Sequence, residues 1–151
     1  MGADAEGWKD FDKKHRWFAQ ESWNVRLGLA IDGFNPFKNM NNLYSMWPVL
    51  VFPYNLPPWK FMKEHFLMMS LLILGPQAPG KDIDVYLRPL VEELKELWDV
   101  GVQTYDVSKE QYFHMHTAIL WTVNDFPVYG DLSGWSTKGC KACPICNKYT
   151  K

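Results

Sequence analysis

Cysteine is scarce: the 151 residues contain three, Cys140, Cys143 and Cys146, all in one short stretch. An odd number of thiols with no distant partner excludes a secreted disulfide framework and fits a reducing compartment. An excess of one charge is also missing. With 16 Lys and Arg against 17 Asp and Glu, the formal net charge is −1, so no basic field draws the whole chain onto nucleic acid. If DNA is the substrate, particular regions must hold it. The cationic clusters, Lys13, Lys14 and Arg16 near the start and Lys138, Lys141, Lys148 and Lys151 near the end, read as solvated surface. Long apolar runs are absent too. The most apolar, Phe66 to Leu74, is about half of the roughly 20 residues that a membrane-spanning helix needs, and it reads as a buried strand. The opening MGADAEGWKD has neither a basic start nor an apolar stretch, and Glu6 stands where a myristoylation signal requires Ser or Thr. Nothing addresses the chain to a membrane. There is no Gly-rich phosphate loop and no Ser/His/Asp grouping.

What is present is core material: 47% of residues are hydrophobic and 16% aromatic, which excludes a disordered tail and suits one globular domain. Residues 1–23 are charged and aromatic without a clear period. From Asn24, Val25, Leu27, Leu29 and Ile31 alternate with Arg26, Gly28 and Ala30, which predicts a strand ending at Asp32. Tyr44 to Tyr54 predicts a second strand, and Pro48 and Pro53 within it point to an edge or a bend. Phe66 to Leu74 is the third. Leu87, Leu90, Val91, Leu94, Leu97 and Trp98 then recur at helical spacing, with Asp82 or Asp84 as cap, Pro89 in the first turn and Gly101 as terminator. After a turn around YDVSKEQ, Phe113 to Val123 alternates again and predicts a fourth strand, with a helix as the alternative, ending at Asp125.

Strand, strand, strand, helix, strand, with carboxylates closing the first and fourth strands, is the opening order of a ribonuclease-H-like α/β fold. Acids also follow strands simply as turn residues, so the rivals need weighing. Asp84 and Asp99 read as helix-end residues, Asp106 and Asp131 as turn residues. His114 and His116 share a strand face but read as half-exposed strand residues rather than metal ligands. Trp47, Trp59, Met68 and Met69 could stack on bases, yet core packing and loop anchoring are the expected roles.

Longer blocks are more specific. NVRLGLAIDGFNPF (Asn24 to Phe37), YSMWPVLVFPYNLPPW (Tyr44 to Trp59), DIDVYLRPLVEELKELWDVGVQTYDV (Asp82 to Val107), ILWTVNDFPVYGDLSGWSTKG (Ile119 to Gly139) and ACPICNK (Ala142 to Lys148) resemble, in order, the En/Spm or CACTA transposase family of plants. The departures are small: Ser22 and Trp23 replace the usual Pro-Arg, Ile31 a frequent Thr, and Val128 a frequent Ala.

The resemblance implies a partial ribonuclease-H-like core over residues 24–134, a lead-in at 1–23 and the start of a Cys-containing insertion at 135–151. It places the first two catalytic acids at Asp32 and Asp125, which would hold Mg or Mn for DNA strand cleavage and transfer. The third acid of the family comes downstream of the Cys pair and lies beyond Lys151. The expectation is therefore a transposase fragment that is inactive as it stands; a domesticated, non-catalytic DNA- or protein-binding module is the alternative. Cys143 and Cys146 have the spacing of half a zinc site. Cys140 extends that array, but family members often carry another residue there, so an unmetallated thiol is its alternative role. Transposon-end DNA, self-association and a nuclear location complete what the resemblance implies.

Overall fold

The computed structural model describes residues 5–37, 44–61, 63–76, 78–124 and 132–133. They form a mixed α/β structure around a four-stranded sheet. Its strands are β1 (Val25–Ile31), β2 (Ser45–Pro53), β3 (Met68–Gly75) and β6 (Thr117–Asn124), in the order β3-β2-β1-β6. β2 runs antiparallel to both β1 and β3, and β1 runs parallel to β6. A separate hairpin, β4 (Val102–Asp106) with β5 (Gln111–Met115), precedes β6. The helices are α1 (Glu6–Lys14), α2 (Arg16–Gln20), the single turn α3 (Pro58–Phe61) and α4 (Ile83–Asp99).

The core follows from two periodicities. On α4, Ile83, Leu87, Leu90 and Leu94 recur at four, three and four residues and so form one stripe. This stripe meets Val25, Leu27, Leu29 and Ile31 of β1 together with Val49, Val51 and Ile73. The opposite sheet face carries Arg26 and Gly28. A Cβ at Gly28 would lie 2.5 Å from the Phe52 ring and 2.6 Å from that of Tyr54, so glycine is what lets these rings cross the sheet. α4 ends where Gly101 turns to φ +75°, a conformation that favours glycine.

Several expectations change. Residues 1–23 contain two helices; Trp8, Phe11, His15 and Phe18 recur at three, four and three residues, a helical spacing carried by aromatic rings set among many charges, and Phe11 packs on both Phe18 and Trp98. Phe18 is fully buried and stacks on Trp98 at 5.4 Å, while Gly7 of α1 lies against the Trp121 ring on β6. β2 is an interior strand, despite its prolines. The β1 ladder ends at Val49, before Pro48, and the β3 ladder ends at Val51, before Pro53. Each proline therefore pairs on one side only, where a missing N–H does little harm. β3 is an edge strand, not a buried one: Met68, Met69 and Leu74 are more than half exposed, because no further described strand covers them. Asp82 precedes α4 without a side-chain capping bond. Pro89 sits well inside that helix, on its exposed side, and leaves the Val85 carbonyl without its usual donor.

The largest difference is the expected fourth strand, which breaks at His116 into β5 and β6. A buried side chain decides the break. Asn24, 1% exposed, accepts the His116 N–H at Oδ1 (2.8 Å) and donates Nδ2–H to the Phe18 carbonyl (3.0 Å). The Asn24 carbonyl accepts from Asn55 Nδ2 (3.0 Å), and the His116 carbonyl accepts from Val25 N–H (2.9 Å). One amide thus ties α2, the start of β1 and the β5–β6 junction. His116 Nδ1 lies 3.0 Å from the Trp98 carbonyl; since a carbonyl only accepts, Nδ1 carries the proton. Beside this junction Arg26 is buried, bonded to Asp12 at 2.7 Å and stacked under Trp8 at 4.7 Å.

The β4–β5 turn is held by Asp106. Its carboxylate accepts the Ser108 hydroxyl (2.7 Å) and the Ser108 N–H (2.8 Å). The Ser108 hydroxyl is the main influence holding its pKa below the ordinary carboxylate value; desolvation opposes it, and the Ser108 and Lys109 amides and the Lys109 charge assist.

Two outcomes follow. Asn24→Ala strands the His116 N–H and the Phe18 carbonyl beside a buried side chain, and urea denaturation is expected to show a loss of about 2–6 kcal/mol, from roughly 1–3 for each unsatisfied group. Because the folded Asp106 pKa is depressed, its contribution is complete above the unfolded carboxylate value near ~3.9 and fades as pH falls through the lower folded value. The Ser108 and Lys109 amide shifts, which report the bonds to this carboxylate, should therefore show a titration step below about pH 4, and Asp106→Asn should remove that step.

Candidate functional site

The end of β1 is the best-defined acidic position. Ile31, 1% exposed, pairs with Val49 on one side and Asn124 on the other, and its N–H donates to Asn124 Oδ1 at 3.2 Å. A side-chain amide oxygen therefore receives the last N–H of β1 and links the two parallel strands at their C-terminal ends.

Asp32 follows immediately and is exposed. The residues after it are fixed in turn. Gly33 lies under the Trp47 ring, where a Cβ would come within 2.5 Å of the indole, and Trp47 Nε1 donates to Ser45 Oγ at 3.1 Å. Phe34 and Met46 exchange both backbone hydrogen bonds, at 3.0 and 2.9 Å. Backbone bonds and a packed indole thus hold the segment on both sides of Asp32. Its carboxylate has no hydrogen bond or ion pair to any described residue. Phe34 and Phe37, 50% and 60% exposed, continue the same loop, and Phe37 meets the Tyr44 ring edge-on at 5.6 Å.

The register sets where the chain leaves both strands. Ile31 and Asn124 are partners in a parallel ladder, so β1 and β6 end side by side at one edge of the sheet. Asp125, the next residue in sequence after Asn124, lies outside the described residues, as do Asp131, Cys140, Cys143 and Cys146. The rival carboxylates are elsewhere: Asp84 in the first turn of α4, Asp99 as its last residue, and Asp106 in the hairpin turn. His114 is exposed on β5, and His116 occupies the break before β6, their rings 6.5 Å apart. Among the described residues no three His, Cys, Asp or Glu side chains gather in a way that could hold a metal ion.

A pocket of about 350 Å³ opens between α1, α4 and β6, with Phe11, Leu94, Trp98 and Thr117 among its walls. Thr117, paired with Val25 at the start of β1, puts it at the opposite end of the sheet from Asp32. It therefore does not serve that carboxylate.

Compared with known families, the whole chain, residues 1–151, matches the model described as transposase family tnp2. The chain belongs to the transposase family tnp2. No curated protein and no solved structure matches it. Family membership makes the function transposase-like and DNA the general partner. Among the described residues, no helix is long and apolar enough to cross a membrane.

Within this tnp2 chain, sequence reasoning named Asp32 as a candidate and did not foresee Asn124 or the Gly33–Trp47 contact that flank it. The signal for Asn124 was an amide directly before an acid at a strand end, where a side-chain oxygen can replace a backbone acceptor. For Gly33 it was a glycine next to a strand-end acid, a position that often marks close approach of another group.

Proposed function

We propose that this chain supplies part of a ribonuclease-H-like catalytic core of a cut-and-paste DNA transposase of the En/Spm type, acting on transposon ends in the nucleus. Asp32 and Asp125 are the two acids that this reading assigns to divalent metal. The observation that carries it is the parallel β1–β6 pairing, with Ile31 opposite Asn124, because each candidate acid is the next residue in sequence. The order β3-β2-β1-β6, with one antiparallel neighbour and one parallel neighbour for β1, supports the same fold.

Asp32 suits one part of such a site: it is an exposed, hard oxygen donor on a fixed backbone, with no described cation neutralising it. The described residues alone do not complete a ligand set; Asp125 is the second donor in this reading. A bound Mg or Mn ion would polarise the scissile phosphate and favour an ionised water or hydroxyl nucleophile. The protein's part is to hold the carboxylates. Asn124 and Trp47 fix the backbone on either side of Asp32, so little reorganisation is needed when a ligand arrives. Cys143 and Cys146 are proposed as two thiolate ligands of a separate zinc site, with Cys140 outside the pair.

The test is a Mn titration of the 151-residue protein followed by electron paramagnetic resonance. Asp32→Asn and Asp125→Asn should each weaken binding by about tenfold or more, since even outer-shell changes cost that much. The double variant should fall well short of the sum, because both side chains serve one site. Wild-type affinity in either single variant would remove the shared site.

A further inference from the structure

The connection between β2 and β3 presents an aromatic ring and a cluster of cations that the acid site does not use. Trp59, in α3, is 72% exposed and makes no ring contact with any described residue. A tryptophan that anchors a loop buries most of its large surface, so neither core packing nor loop anchoring explains this one.

Backbone hydrogen bonds tie the turns around it. Lys60 N–H donates to the Pro57 carbonyl (2.8 Å), Lys63 N–H to Lys60 (3.0 Å), Phe66 N–H to Lys63 (2.9 Å) and Leu67 N–H to Glu64 (3.2 Å). These successive turns, following two consecutive prolines, carry the ring. Lys60, Lys63 and His65 are exposed as well. Neither lysine forms an ion pair with a described carboxylate, and Glu64 is the one acid in the stretch from Trp59 to His65. A chain with net charge −1 thus gathers local positive charge around its bare indole.

We propose that this connection is a DNA contact, in which Lys60 and Lys63 neutralise backbone phosphates and Trp59 stacks on an unpaired base. Ammonium groups supply the salt-dependent, sequence-independent part of such binding, and an exposed aromatic face supplies a stacking platform that any base can use. A protein partner matching only the ring would leave the two lysines without anions. The site lies at the far end of the sheet from Asp32, since Pro53 at the end of β2 pairs with Leu27 near the start of β1. It is independent of the acid-site reading.

The test uses the 151-residue protein and fluorescence anisotropy between about 50 and 200 mM NaCl, the range over which phosphate contacts lose affinity steeply. The probes are a mixed-sequence labelled duplex and the corresponding single strand. Lys60→Ala with Lys63→Ala should reduce the slope of log K against log salt by about two on the duplex, roughly one for each lost phosphate contact. Trp59→Ala should weaken single-strand binding about tenfold while changing duplex binding little, and Trp59→Phe should restore most of the loss. Asp32→Asn should bind both probes as wild type does, which separates this contact from the acid site. The proposal is overturned if the folded variants, checked by circular dichroism, keep wild-type affinity and salt slope. It is equally overturned if wild type binds neither probe at the lowest salt.

Discussion

The parallel pairing of β1 with β6 is the constraint on which the rest of this molecule depends. Parallel neighbours cannot be joined by a tight turn; they need a long crossover, and here residues 93 apart meet at the end of the ladder. The intervening chain does three jobs. β2 and β3 extend the sheet on the other side of β1, α4 crosses back over the core face, and the β4–β5 hairpin occupies the space before β6 begins. Had β6 joined the sheet antiparallel, Ile31 and Asn124 would lie at opposite ends of the sheet, and the C-terminal ends of β1 and β6 would not meet.

Both ends of that pairing are secured by asparagine side chains. At the start, Asn24 bonds the His116 N–H and the Phe18 carbonyl, so α2 and the β5–β6 junction meet β1 through one buried amide. At the finish, Asn124 takes the last β1 N–H. Buried polar groups carry a high desolvation cost unless satisfied, which makes Asn24 a selector of register: a slip by one residue would strand its partners. The N-terminal helices add to this by laying aromatic rings against β6 and α4, and Arg26 with Asp12 and Trp8 closes the opposite sheet face.

Much of this order could be read from the residues where local pattern and tertiary role agree. The α4 stripe at Leu87, Leu90 and Leu94 and the alternation of Leu27, Leu29 and Ile31 were legible because one periodicity set one buried face. His116 was not legible as a break, because the residue that causes it stands 92 positions away and the local alternation runs straight through it. The interior position of β2 was hidden because a proline is tolerated or not according to where its neighbours end, which the strand's own sequence does not state. Apolar content likewise misjudged β3, whose exposure is set by its place at the sheet edge, and Trp59, whose exposure is set by the turns beneath it. Of the candidate site, the place of Asp32 at a strand end was legible from the β1 alternation, while its choice over the rival acids came from the family resemblance. Asn124 left only a faint local signal, an amide before a strand-end acid, and Trp47 left none, since its contact is with Gly33 of another segment.

The central claim is that the β1 and β6 ends bring Asp32 and Asp125 to a common metal. A crystal grown with Mn and examined by anomalous scattering tests this most directly. The account predicts a peak within ~2.5 Å of carboxylate oxygens from both residues, the range of hard-cation coordination. A peak bound elsewhere, or the two carboxylates turned to opposite sides of the sheet, would contradict it.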